Sequence, residues 1–170
     1  GDLGAHVSGS QREKSRCLDN EGVVVHSGRV DVQQFQFFNF VGQKPLEQLE
    51  QRQQAALEQL SLTVDIQPPE RIGGVDVSYD ASTGHGVAAY AVVEIKSGKL
   101  IWSHQRHGRV AFPYIPSYLA FRELPLLLEL IAEVRQVGQL TDVVMVDGSG
   151  ILHPRRAGVA TLLGIQANLP

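Results

Sequence analysis

The chain has 170 residues, 43% hydrophobic and 19% charged, with a formal net charge of -3. That length can bury a real core in one domain, and the slight negative charge excludes a protein that coats nucleic acid with general basicity, so any such site must be a local patch. A single cysteine, Cys17, excludes an internal disulfide, and no apolar run nears the roughly 20 residues of a membrane span.

No signal peptide is visible, so a cytoplasmic protein that does not engage membranes is expected. The only methionine is Met145, and Gly164 to Pro170 stops where an α/β chain would enter its next strand. Both features predict a piece of a longer gene product.

Residues up to Gly28 mix glycine, serine and charge, which predicts loop or disorder. Val30 to Phe40 then carries four of the six phenylalanines. Its partial alternation predicts a strand or an aromatic plug, packed rather than used to stack bases. Residues 1–45 are therefore taken as an irregular N-terminal extension. From Leu46 to Leu60 a helix is expected, with Leu46, Leu49, Ala56, Leu57 and Leu60 on one face.

Arg71 to Tyr79 is the first clear core strand: Val75, Val77 and Tyr79 point one way, Gly74, Asp76 and Ser78 the other. Asp76 is thus a carboxylate in a β pattern, where aspartate is disfavoured. Strands over Val87 to Ile95 and Leu100 to Val110, joined by Ser97-Gly98, complete an antiparallel meander.

Phe112-Pro113-Tyr114-Ile115-Pro116 is a stiff loop, because two prolines leave few backbone states. Ser117 is expected to cap a helix whose stripe is Leu119, Glu123, Leu126, Leu127, Leu130, Ile131 and Val134. Pro125 lacks the donor to Phe121, which predicts a kink or a ragged first turn. Glu123 lies on the stripe that faces the sheet, and burying a lone carboxylate is costly, so a cation or metal partner is expected.

Val143 to Val146 is apolar without alternation, which predicts a strand covered on both faces. It ends on Asp147, followed by Gly148 and Gly150, then His153. Pro154 is expected in the first turn of a helix reaching Leu163, with Arg155 and Arg156 at its start and Gly158 allowing close packing. An acid at the C-terminal end of a buried strand, before a glycine turn, is where open α/β sheets bind ligands. If this strand pairs parallel with the first, Asp76 and Asp147 stand side by side and the crossing helix can lower Glu123 onto them. Three carboxylates so close repel each other, and Mg²⁺ or Mn²⁺ with oxygen ligands resolves the repulsion. Such ions activate water and stabilise the leaving oxygen of a phosphodiester.

GVDVSYD (Gly74 to Asp80), FPYIPSYLAFRE (Phe112 to Glu123) and VDGSGILHPRRAGVATLLGI (Val146 to Ile165), in that order and spacing, resemble the endonuclease V family over about residues 46–170. The resemblance implies a partial ribonuclease H-like α/β fold. Its mixed sheet has three antiparallel strands, then a parallel one, with flanking helices and the last strand missing. It implies a monomeric, Mg²⁺-dependent DNA-repair endonuclease that recognises deoxyinosine in DNA, or inosine in RNA, and cuts the second phosphodiester on the 3′ side, with Mn²⁺ able to substitute.

It further implies Asp76, Glu123 and Asp147 as metal-binding catalytic acids and His153 as a helper near the metal. Tyr114 becomes the wedge that fills the gap of an extruded base, an insertion that offsets lost stacking. Gly148, Gly150, Gly158 and Leu119 become the lining of the hypoxanthine pocket. Arg155 and Arg156 are expected to meet phosphate. Three departures stand out: Ser117 replaces a frequent glycine, Ser149 a frequent His or Asn, and the family's later strand with its catalytic lysine is missing. Two other readings compete. One is a catalytically impaired fragment that binds nucleic acid; the other is a different ribonuclease H-like repair nuclease.

Overall fold

The computed structural model describes residues 10–35, 44–62, 67–80 and 83–169. The chain divides into two compact units, Gly1–Lys44 and Pro45–Pro170.

The first unit is more regular than its composition suggests. Helix α1 spans Gln11–Asn20, and Ser10 and Glu13 form a reciprocal capping box at its start. That satisfies two of the amide donors a helix start leaves open. Strands β1 (Val25–His26) and β2 (Arg29–Val30) pair antiparallel. Ser27 and Gly28 between them both have positive φ, 49° and 74°, the tight turn whose twist matches a hairpin. The expectation of loop or disorder thus fails over Gln11–Asn20 and Val25–His26 and holds for the turns between and after them. Within the phenylalanine-rich run, Val32–Phe35 is a helical turn, α2, rather than a strand. The rest of that run, 36–40, lies outside the described residues.

The second unit begins with α3, Pro45–Leu57. Its innermost residue is Gln53, 1% exposed, while Leu46 stays 38% exposed. Strands β3 (Arg71–Asp80), β4 (His85–Glu94) and β5 (Lys99–Arg109) form the expected meander. Strand β6 (Val144–Val146) pairs parallel with β3, giving the order β5-β4-β3-β6. Helices α4 (Leu119–Gln136) and α5 (Val159–Ala167) pack together, and α4 covers β3, β4 and β5. Between helices and sheet, Val75, Ala88, Tyr90 and Val92 meet Leu127, Leu130, Ile131, Leu162 and Leu163. Each leucine or isoleucine so buried contributes about 1.5–3 kcal/mol. Helix α4 continues through Pro125 as one element.

Tyr90 passes under β3 to reach Thr141, its hydroxyl 2.8 Å from Thr141 Oγ1, and Thr141 Oγ1 in turn donates to the Val143 carbonyl. Gly73 makes this possible, since a Cβ there would lie 2.1 Å from the Tyr90 hydroxyl. The entry to β6 is therefore fixed by a buried polar chain beneath a glycine.

Two expectations fail around β6. The strand is covered on one face only: Met145 is 64% exposed, because α5 packs against β6 from the other side and β6 sits at the sheet edge. The following helix starts at Val159, not Pro154. Arg156 takes a left-handed φ of 57°, and Gly158 is an extended N-cap, so 151–158 cannot be helical. Among the described residues, no helix is long and apolar enough to cross a membrane.

Candidate active site

Parallel pairing matches Val75 with Val146, and the Asp147 amide donates to the Val75 carbonyl at 3.1 Å. Asp147, just past the end of β6, therefore lies directly beside Asp76 in the middle of β3. Both acids line a shallow groove on the open sheet face, together with Gly74, Ala89, Ala91 and Met145. Asp76 Oδ1 accepts the Val77 amide at 2.7 Å.

Glu123 comes from the second turn of α4 and is 7% exposed. The Tyr79 hydroxyl donates to Glu123 Oε1 at 2.8 Å, and the Arg122 charge also acts on this carboxyl. Burial pushes the Glu123 carboxyl above its ordinary range, and the charges of Asp76 and Asp147 push it further. The Tyr79 hydrogen bond and the Arg122 charge oppose that rise. Burial and Glu123 in turn raise the Tyr79 phenol. The Arg122 guanidinium lies 4.3 Å from the centre of the Tyr79 ring.

Among the described residues, no three His, Cys, Asp or Glu side chains are already gathered closely enough to hold a metal. The donor set still fits a hard divalent cation in kind. It is oxygen only, and the charges of Asp76 and Asp147 raise the cost of ionising Glu123, which a cation would relieve. Asp76 and Glu123 each have one oxygen in a protein hydrogen bond, leaving the second available.

The stiff loop is held at both ends. Arg122 donates to the Phe112 carbonyl. At the far end, Ser117 has a left-handed φ of 67° and does not cap α4; the N-cap is Tyr118, without a side-chain bond. That conformation turns the Ser117 carbonyl toward three donors: Arg155 Nη2 at 2.8 Å, His153 Nε2 at 3.0 Å and Gln53 Nε2 at 3.2 Å. Between the two ends, Tyr114 is 66% exposed.

His153 is 8% exposed, and its Nδ1 accepts the Arg155 amide at 3.1 Å. Both ring nitrogens are therefore bonded to backbone, with the proton on Nε2. Arg155 also donates from Nε to Gln53 Oε1 at 2.7 Å, lies 3.4 Å from Glu50 and stacks over Tyr118 at 4.6 Å. Arg156 is exposed.

The glycines serve the turn after Asp147. Gly148 has φ 149°, and a Cβ there would approach that of Val159 to 3.1 Å. At Gly158 a Cβ would lie 1.9 Å from the Ser149 carbonyl oxygen, so what packs closely is the 149 backbone. Gly150 has room, with nothing nearer than 3.7 Å. Leu119 packs at the margin of the core. Gln53, Tyr79 and Arg122 escaped the sequence reading. Gln53 had a signal, since it falls on the apolar stripe of Leu49, Ala56 and Leu57; Tyr79 and Arg122 had none.

The endonuclease V family model matches residues 53–170. A bifunctional methyltransferase/endonuclease of Picrophilus torridus is 36% identical over 171 residues, covering 100% of this chain and 53% of its own. Endonuclease V of a Nostoc species is 38% identical over 104 residues, 61% of this chain and 46% of its own. Among solved structures, the catalytic domain of human endonuclease V superposes with TM-score 0.66 at 33% identity, over 76% of this chain and 57% of that one. The Ciona intestinalis enzyme, in complex with a 24mer DNA containing an inosine followed by a ribo-adenosine, superposes with TM-score 0.69 at 23% identity, over 75% of this chain and 56% of that one, a likeness of fold. The chain spans about half the length of these relatives. With its mixed sheet, helix-borne glutamate and neighbouring aspartates on β3 and after β6, the chain belongs to the endonuclease V family and has its ribonuclease H-like fold.

Proposed function

We propose that the whole protein is a divalent-metal-dependent endonuclease that recognises deoxyinosine in DNA and hydrolyses the second phosphodiester on its 3′ side. One observation carries this reading: Asp76 on β3 and Asp147 just after β6 stand side by side, and both charges bear on buried Glu123. These acids would hold Mg²⁺, or Mn²⁺ in its place; when bound, the ion supplies an activated water and stabilises the leaving oxygen. Tyr114, exposed on a pinned loop, suits a wedge that takes the place of an extruded base. Gly148, Gly150, Gly158 and Leu119 would line the base pocket. Exposed Arg156 is the better placed of the two arginines for phosphate, since Arg155 is committed to protein partners. His153 orients the Ser117 loop rather than moving a proton. A monomer acting in the cytoplasm, with inosine-containing RNA as a second substrate, completes the reading.

Nicking of an inosine-containing strand by the full-length protein in Mg²⁺ tests it. Asp76→Ala should lower the rate by about 10²-fold or more. Equal rates for variant and wild type would overturn the assignment of the acids.

A second reading concerns the first unit. The Picrophilus torridus relative aligns with the whole chain, whereas the family match starts at residue 53. Residues 10–35 are then read as part of a methyltransferase module joined to the nuclease. Transfer of a labelled methyl group by the full-length protein checks this, and a gene carrying no second module would end it.

A further inference from the structure

The Ser117 carbonyl accepts from three side chains although it has two lone pairs. The same donors tie the loop to two other segments. Gln53 Nε2, on α3, also donates to the Ala157 carbonyl at 3.0 Å, and Gln53 Oε1 accepts from Arg155. Tyr118, directly after Ser117, donates from its hydroxyl to Glu50 Oε1 at 2.6 Å, and Glu50 faces Arg155. Three stretches far apart in sequence thus meet: α3, the Tyr114 loop, and the turn that follows Asp147 and its glycines. Gln53 is 1% exposed, so each bond it loses leaves a buried polar group unpaired.

We propose that Gln53 and Arg155 are positioning residues that set the Tyr114 loop at a fixed distance from the glycine turn, and so determine selectivity for the extruded base. Neither touches the reacting atoms. Both act through the Ser117 carbonyl, and Gln53 also through the Ala157 carbonyl. This inference rests on the proposed inosine-directed activity. It assigns Arg155 a task opposed to phosphate binding, and the two tasks give different readouts. A phosphate contact works as a point charge, so lysine can replace arginine, and its loss lowers the salt dependence of binding by about one charge. A fork that bridges Gln53, Ser117 and Glu50 cannot be replaced by lysine.

The test uses the full-length protein with Ca²⁺ in place of Mg²⁺. Binding of labelled strands containing inosine or adenine at one position is measured across a salt series. Arg155→Lys, which keeps the charge, is expected to reduce the preference for inosine about tenfold or more while leaving the salt slope unchanged. Gln53→Met, similar in volume and apolar, should do the same. In the Gln53→Met background, Ser117→Gly should restore part of the preference, because glycine holds the left-handed turn without the added bonds. Should Gln53→Met fail to fold, Arg155→Lys decides alone, since that side chain is partly exposed.

Wild-type preference in Arg155→Lys would overturn the inference. So would a salt slope reduced by about one in Arg155→Ala with preference intact. A wild-type protein that binds inosine and adenine strands equally would instead overturn the function on which the inference rests.

Discussion

Ser117 is a serine held where glycine is favoured. Its φ of 67° places Cβ against neighbouring backbone, at a cost of about 1–2 kcal/mol. Ser117→Gly should remove that cost, partly offset by the greater freedom of an unfolded glycine. The expected net gain is up to about 1 kcal/mol, read as a higher urea midpoint. Glu123 carries a cost of another kind. Its folded-state pKa lies above its ordinary value of 4.5, chiefly through burial and then through the charges of Asp76 and Asp147. The folded chain therefore holds the proton more tightly than the unfolded one. Stability from this group is full below the unfolded value and declines as pH rises through the folded value. Glu123→Gln should flatten that decline, giving a higher melting temperature than wild type at pH 7 without metal and little difference at pH 4. Thermal melts at the two pH values check it. The acids were legible in the sequence because aspartate in a strand and glutamate on an apolar stripe both break a pattern. Gln53 broke a pattern too, but amide side chains are common on helices, and its three partners lie 64 to 104 residues away.

At the level of elements, alternation and periodicity located the meander and α4, since both report local burial. The short N-terminal pieces went unread for a different reason. Helix α1 buries none of its residues, so periodicity had nothing to report, and its capping box was the only signal. The misplaced start of α5 also has a local cause. Pro154 is compatible with a first turn, but the left-handed Arg156 interrupts any helix there. What fixes the segment is the close approach of Gly158 to the Ser149 carbonyl. Gly158→Ala should therefore destabilise by about 1–3 kcal/mol, the range for overpacking. Gly150→Ala, where a Cβ meets only Thr161 and Ala160 at ordinary distance, should change stability far less. Chemical denaturation of the pair separates packing at the turn from a general need for glycine.

Across the second unit, the core lies on one side of the sheet. Leu130 is fully buried between sheet and helices, whereas Met145 is open to solvent. In the 170-residue chain Leu130→Ala should cost about 2–5 kcal/mol, and Met145→Lys within about 0.5 kcal/mol of zero. Comparable losses for both in urea unfolding would contradict the one-sided core. The run around Met145 looked two-sided in the sequence because composition does not reveal which face a helix will cover. Arg122 gives the unit another property. One guanidinium holds the Phe112 carbonyl and lies on the ring whose hydroxyl meets Glu123. Under the proposed reading, cation capture and nucleobase capture are then thermodynamically coupled. Mg²⁺ should tighten the grip on an inosine strand by the same factor by which the strand tightens the grip on Mg²⁺. Arg122→Ala should bring that factor toward one.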